Sequence, residues 1–298
     1  MSPRVAVVVL HYDRPQGALA CVDSLRASTH DDFTIAIVDN GSSPEGLAAL
    51  AAGLATRPGV ELVRVTPNRG YTGGMNAALR QALASDAPYL WLLADDVTVE
   101  PGAMTAFVDV FEAQPRAGVA GALTVYADDP GRIWFAGGVV EPLLLGRALH
   151  RGLDTRDDGF GRTPDRVDFA NGSCLFMRRT TAVAVGDFDE AYFTYWEDVD
   201  WCARALAAGH EVWYVPAARI RHAVTPDTGD RLDRARRYDM RNRLIWHRRH
   251  RPRRVTAVFL WSLAQLPRLL LLGRAHEAGL MAQGLWAWCR GRTGRMAA

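Results

Sequence analysis

The chain contains no lysine: all 35 of its Lys and Arg positions are arginine. Cysteine is scarce as well. Cys21, Cys174, Cys202 and Cys289 lie far apart and form no CxxC pair, which excludes a compact zinc or redox centre and leaves buried free thiols in a reducing compartment. The apolar run after Arg4 ends at Leu10. It is too short for the apolar core and cleavage site of a signal peptide, so export by that route is not expected. Neither GxGxxG nor a Walker loop occurs, which excludes the usual nicotinamide and ATPase chemistry. No internal repeat or low-complexity linker appears before residue 230.

A chain of 298 residues, 49% apolar and 23% charged, suits one large globular domain, or a domain with an appendage. The net charge of +2 conceals an asymmetry. Residues 1–230 hold 19 Arg against 30 acids, whereas residues 231–298 hold 16 Arg against 3 acids. An acidic body of net −11 therefore carries a tail of net +13, and such a division needs a reason beyond the fold.

Continuous aliphatic runs suit strands covered on both faces. They occur at Val5–Leu10, Phe33–Val38, Val60–Val65 and Tyr89–Leu93. Helical patterns alternate with them at Pro15–Ala27, Pro44–Ala55 and Gly73–Ala84. The alternation predicts an α/β fold with a doubly wound, mostly parallel sheet. Further strands are expected at Val119–Val125, Val167–Ala170, Ser173–Met177, Val212–Val215 and Arg219–His222. A hairpin is expected within 133–149, a polar loop at 154–164, and a helix at Asp198–Ala208 closed by Gly209.

Ligands of open α/β sheets bind beyond the C-terminal ends of the strands. The residues there are HYDR at 11–14, DNGSS at 39–43, NRGYTGGMN at 68–76 and Asp95–Asp96. Any one of these is ordinary turn chemistry; four at one sheet edge point to a ligand site. Carboxylates ending a buried strand need a compensating cation, and hard oxygen ligands favour Mg²⁺ or Mn²⁺; an acidic turn capping the next helix is the alternative. Glu197, Asp198 and Asp200 open a helix among Tyr195, Trp196 and Trp201. The helix dipole alone favours acids there. A general base beside a sugar platform is the sharper reading.

Taken in order, VVVLHYDRP, IVDNGSS, NRGYTGGMNAAL, WLLADDVTVEPGAM, NGSCLFMRR and FDE…EDVDWC resemble the family 2 glycosyltransferases of the rhamnosyltransferase-like branch, over roughly residues 3–225. The resemblance implies a GT-A fold and an inverting, metal-dependent hexosyltransferase. It implies a nucleoside-diphosphate sugar donor such as dTDP-rhamnose. Asp39 would contact the base, with Tyr12 at the neighbouring strand end. Asn68, Gly70, Gly74, Asn76 and Asp95 would line the nucleotide sugar. Asp96 and His222 would hold Mn²⁺ or Mg²⁺. Asp198 would be the catalytic base, with Trp196 and Glu197 shaping the acceptor side. The element usually written DxD reads ADD here, with Ala94 first. That departure is the one feature pointing to the rival reading, a non-catalytic carbohydrate-binding or scaffolding protein on a degenerate transferase fold; the EDVD run and Asp96 point against it. A sugar nucleotidyltransferase is disfavoured, because no glycine follows the first strand until Gly17.

The expected division is a catalytic domain at 1–230 and a basic helical extension at 231–298. Residues 231–254 carry 11 Arg. The acidic body argues against nucleic acid as the partner. The apolar stretch at 255–272, interrupted by Pro267 and Arg268, is short for a span of about 20 residues. It fits an interfacial helix, so a peripheral place on the cytoplasmic face of the cell membrane is expected. The acceptor by resemblance is a glycan or lipid-linked hydroxyl. Packing on the body, or a homo-oligomer interface, is the competing use of the tail.

Overall fold

The structure is a computed structural model that describes residues 4–141, 146–224 and 229–296, without the side chains of 229–231. The tip of the hairpin expected within 133–149 lies outside the described residues. The elements begin with β1 (Val5–His11), α1 (Pro15–Arg26), β2 (Phe33–Asp39), α2 (Pro44–Leu54), β3 (Val60–Arg64), α3 (Gly70–Leu83) and β4 (Tyr89–Ala94). Next come β5 (Val97–Val99), α4 (Ala103–Ala113), β6 (Ala117–Tyr126), β7 (Ile133–Phe135), β8 (Gly138–Val140), β9 (Ala148–His150) and β10 (Asp165–Arg166). The chain continues through β11 (Cys174–Arg178), α5 (Arg179–Val185), α6 (Glu197–Ala207) and β12 (Glu211–His222). It ends in α7 (Gly229–His250), α8 (Val255–Leu271) and α9 (Ala275–Cys289).

The main sheet runs β10-β12-β6-β11-β4-β1-β2-β3. Its longest ladders are parallel, with β11 inserted antiparallel between β4 and β6. Every residue of β1 and β4 is buried. Such strands have no polar face to alternate, which is why they read as unbroken aliphatic runs. Apolar side chains pack in two layers, one on each face of the sheet. The mixed sheet with flanking helices is the expected α/β class.

Several expectations are corrected. Residues 167–170 form no strand; Phe169 makes an isolated bridge to Gly138, and β10 precedes them. The two short strands expected at 212–222 are one strand, with an irregularity between Val215 and Arg219 beside Pro216, which has no N–H to give the ladder. Helix α4 was given no range in advance, although Met104, Phe107, Val108 and Phe111 recur at helical spacing and are buried. Pro267 does not interrupt the tail helix; α8 runs through it. The boundary expected at 230/231 falls inside α7, whose Ile245 and Trp246 join the core of the sheet domain.

Candidate active site

Four strand ends converge on one cavity of about 1130 Å³. It is lined by His11, Tyr12 and Arg14 after β1, Asn40 after β2, Asn68, Gly70 and Tyr71 at the start of α3, and Asp95 and Asp96 after β4. The parallel register puts His11 beside Asp39, and Leu10 beside both Val38 and Ala94, so the loops leave at one level. Side chains then tie loop to loop. Asn40 Nδ2 donates to the Gly70 carbonyl at 2.9 Å, and its Oδ1 accepts from the Arg69 N–H at 3.2 Å. The Gly70 N–H donates to Asn68 Oδ1 at 2.8 Å. Gly70 has φ +76, and a Cβ there would stand 2.4 Å from the Phe193 ring. Only glycine meets both conditions at small cost.

The two acids after β4 have separate partners. Asp95 Oδ2 lies 2.9 Å from His11 Nδ1 and accepts the Tyr12 N–H at 3.0 Å. Burial still pushes its carboxyl above the usual range, against the pull of those partners. Asp96 accepts from Arg14 at 2.7 Å and lies 3.1 Å from His222 Nε2. Burial raises it too, but His222 and Arg14 outweigh burial and leave it below the usual range. Trp134 and the His222 ring pack edge to face, with centroids 4.4 Å apart.

A second cavity of about 450 Å³ adjoins the first. Arg14, Tyr71, Ala94, Asp96 and Arg234 line both. Its far wall carries Trp134, Gly172, Trp196, Glu197 and Asp198. Asp198 accepts backbone N–H groups from Gly172 and Val199, each at 2.8 Å. Burial raises its carboxyl despite these donors. Burial, then the adjoining Asp198, pushes Glu197 well above its usual range, and Glu197 Oε2 has no hydrogen-bond partner among the described residues. Backbone donors favour the ionised form of Asp198, whereas Glu197 has burial and the Asp198 charge against ionisation, so Glu197 is the more strongly raised of the two. The Tyr71 phenol is pushed up first by burial and then by Glu197, Asp198, Asp96 and Asp95, so it stays protonated between the two acid pairs.

The loop before α6 is strained. Phe193, Tyr195 and Trp196 have φ of +65, +64 and +75, a conformation that costs a side-chain-bearing residue on the order of 1–3 kcal/mol. Helix α7 holds it in place. Asn242 Nδ2 donates to the carbonyls of Tyr192, Thr194 and Tyr195, and Arg241 to those of Ala191 and Tyr192. Trp196 Nε1 donates to Asp239 at 2.7 Å.

The structure therefore brings Tyr12, Asn68, Gly70, Asp95, Asp96, His222, Trp196, Glu197 and Asp198 to the two cavities. It does not bring Asp39, Gly74 or Asn76 to their lining. Asp39 is fully buried behind it, accepting the Ser42 N–H at 3.3 Å. At Gly74 a Cβ would stand 2.7 Å from Leu10 Cδ1, so this glycine lets α3 approach the sheet. Asn76 is a buried clamp on Phe188, donating to its carbonyl at 2.9 Å and accepting its N–H at 2.7 Å. Asp200 and Trp201 also leave the site. Asp200 turns toward Arg204, Arg249, His250 and Tyr192, and Trp201 lies in the core. Sequence reasoning placed Asn40 and Tyr71 in the strand-end loops without giving either a role, and it missed the Asp239–Arg241–Asn242 clamp. The clamp had one signal: polar residues interleaved with Tyr238, Met240, Leu244, Ile245 and Trp246 along a single helix.

Residues 6–182, more than half of the chain, match the profile of glycosyl transferase family 2. The chain belongs to that family. It is a glycosyltransferase that uses a nucleotide-sugar donor. Its relatives include the N-acetylglucosaminyl-diphospho-decaprenol L-rhamnosyltransferase of Mycobacterium tuberculosis, 29% identical over 77% of this chain and 79% of that protein. Rhamnosyltransferase WbbL of Escherichia coli K12 is 36% identical over a shorter stretch, 26% of this chain and 29% of that one. The solved structure of mannosyltransferase PcManGT from Pyrobaculum calidifontis, in complex with GDP-Man and Mn²⁺, covers 98% of this transferase and 88% of its own chain at a TM-score of 0.61. At 14% identity that likeness shows the fold, GT-A.

Proposed function

We propose that this transferase moves a sugar, with inversion, from a nucleoside-diphosphate donor to the hydroxyl of a glycan or lipid-linked acceptor. A dTDP-linked deoxysugar such as rhamnose is the favoured donor, in line with the two rhamnosyltransferase relatives. The observation that carries the reading is the pairing of two cavities across Tyr71. One holds the nucleotide-facing loops and Asp96, and the other holds Asp198. A base on one side of the anomeric carbon and a leaving diphosphate on the other suit a single in-line displacement.

Among the described residues no cluster of three or more metal-ligating side chains forms. Asp96 Oδ1 and His222 Nε2 nevertheless fit a shared cation. They lie 3.1 Å apart, about the separation of two neighbouring octahedral ligands at ~2.1 Å from one ion, and substrate phosphates commonly complete such a shell. Ala94 removes a third candidate. Mn²⁺ or Mg²⁺ bound there would neutralise charge on the departing diphosphate. The chain's own part is separate. Asp198, raised by burial but with two backbone N–H groups favouring its ionised form, accepts the proton of the acceptor hydroxyl. Glu197 is the acid that favours keeping its proton, and Trp196, locked on Asp239, lines the acceptor cavity. The intact acid pairs disfavour a non-catalytic protein.

The tail reading also belongs here. No helix among the described residues is long and apolar enough to cross a membrane. Helix α8 exposes Leu260, Leu263, Leu270 and Leu271, and Arg253 is exposed just before it. This supports peripheral attachment to an anionic lipid surface on the cytoplasmic side. Because α7 clamps the active site, the test uses Leu260→Glu with Leu271→Glu rather than truncation. Liposome co-sedimentation should fall with the substitutions and with salt; equal sedimentation would sink the attachment.

The transfer itself is tested by nucleoside diphosphate release across UDP-, dTDP- and GDP-sugars with a polyprenyl-linked acceptor. Acceptor-dependent release with an inverted anomeric product is expected. Silence toward every donor, or a retained anomer, would remove the reading.

A further inference from the structure

The wall of the large cavity that faces the strand ends comes from the end of the chain. Arg234, Arg237 and Tyr238 of α7 line it, together with Arg295 and Met296. This wall is built rather than draped. Arg241 donates to the Gly294 carbonyl at 2.7 Å, the Gly294 N–H to Ala191 at 2.8 Å, and the Met296 N–H to the Tyr238 hydroxyl at 2.7 Å. Tyr238 in turn stacks on Phe193 at 5.7 Å.

Arg234 and Arg237 are three residues apart on one helix and share a face. Other arginines nearby are engaged: Arg14 on Asp96, Arg236 on Glu277, Arg249 on Asp189 and Asp200. Asp95 is taken by His11, and Asp233 by His276 at 2.6 Å. Once these pairs are set aside, three guanidinium groups remain in the cavity with no hydrogen-bond or carboxylate partner among the described residues. Arg237 Nε is buried and unpartnered. A guanidinium offers five N–H donors in a planar fork, matched to phosphate oxygens. Three of them around one cavity repel each other unless an anion lies between.

We infer that Arg234, Arg237 and Arg295 form a diphosphate clamp for the nucleotide. The strand-end loops would hold the nucleoside, and the C-terminal wall would neutralise the donor's diphosphate. In a site whose DxD-type element has lost its first acid, these arginines share the charge otherwise left to the cation alone. The inference rests on the donor reading above.

The test is titration calorimetry of the full chain and of Arg234→Gln with Arg237→Gln, and separately Arg295→Gln. The probes are UDP, dTDP and GDP, each beside its nucleoside, and farnesyl diphosphate, over a salt series. Thermal melting checks that the variants fold. The preferred diphosphate should lose about tenfold or more in affinity, with a shallower salt dependence, while nucleoside binding stays within about twofold. Unchanged diphosphate affinity in the variants would overturn the clamp alone. A wild type that binds none of the three diphosphates would overturn the donor reading and the clamp with it. Lost affinity for farnesyl diphosphate with nucleotide affinity intact would assign the arginines to an acceptor, and would overturn it too.

Discussion

The molecule carries two pairs of adjacent acids at its site, and they are treated in opposite ways. Asp95 and Asp96 end a strand and divide between different partners, so that Asp96, held by His222 and Arg14, stays charged. Glu197 and Asp198 begin a helix, where among the described residues the side-chain oxygens of Asp198 accept only backbone N–H groups, and burial raises both. On the proposed roles, the difference separates binding from proton transfer. An acid that must hold a cation or phosphate-bound metal benefits from permanent charge. An acid that must take a proton benefits from a value nearer the working pH.

The contrast breaks most visibly at Asp198. Asp198→Asn keeps the shape but cannot accept a proton. Turnover should fall about 10²- to 10⁴-fold while donor binding by calorimetry stays nearly unchanged. Near wild-type turnover would show that another group is the base. Next in size is Asp96→Ala, which should weaken nucleoside diphosphate binding by about tenfold, or 1.4 kcal/mol, and abolish its dependence on Mn²⁺. Wild-type affinity that is equal with and without EDTA would remove the metal from the comparison. The third probe tests whether Asp200 belongs to either pair. Its carboxyl is held down to about 2: burial opposes this, but His250, Arg204 and Arg249 outweigh it. A depressed acid adds stability that is present above its unfolded value, near 4, and lost as pH falls toward 2. Asp200→Asn should therefore cost about 3 kcal/mol at neutral pH by thermal melting, and should flatten the loss of stability between those values. An unaltered melting profile would mean the network contributes nothing.

The smallest effect sharpens the pair itself. Because Asp198 works ionised, the rate should rise with pH through a value above the ordinary aspartate range and then level off. Burial is the main cause of that rise, so Glu197→Gln should move the limb of the pH–rate profile by less than about one unit. Disappearance of the limb in Glu197→Gln would make Glu197 the base instead.

The front half of the chain was legible because β1, β2 and β4 carry the pattern of strands covered on both faces, and because punctuation follows each one. The site was legible as a place where acids end a strand or open a helix, as at Asp96 and Asp198, which line the cavities. It was not legible where polar residues serve the fold: Asn76 and Asp200 look like ligands in one dimension, and only packing shows that they bind backbone and arginine. The clamp of Asp239, Arg241 and Asn242 was hidden by its setting. Within a run so rich in arginine, a charged helix reads as a solvated or membrane-facing surface, whereas Arg241 and Asn242 are fully buried. Their partners lie about fifty residues away in sequence, at carbonyls that no local pattern reveals.

That clamp also bears on how the enzyme comes into being. The left-handed turns at Phe193, Tyr195 and Trp196 precede their anchor, and a ribosome emits the acids of α6 seconds before it emits Asn242. In that interval the nascent chain holds every group needed for proton transfer but cannot keep the loop in its costly shape. On the proposed roles, sugar transfer is therefore expected only once α7 docks, and a message cut short ahead of residue 242 should yield an inert product rather than an uncontrolled one.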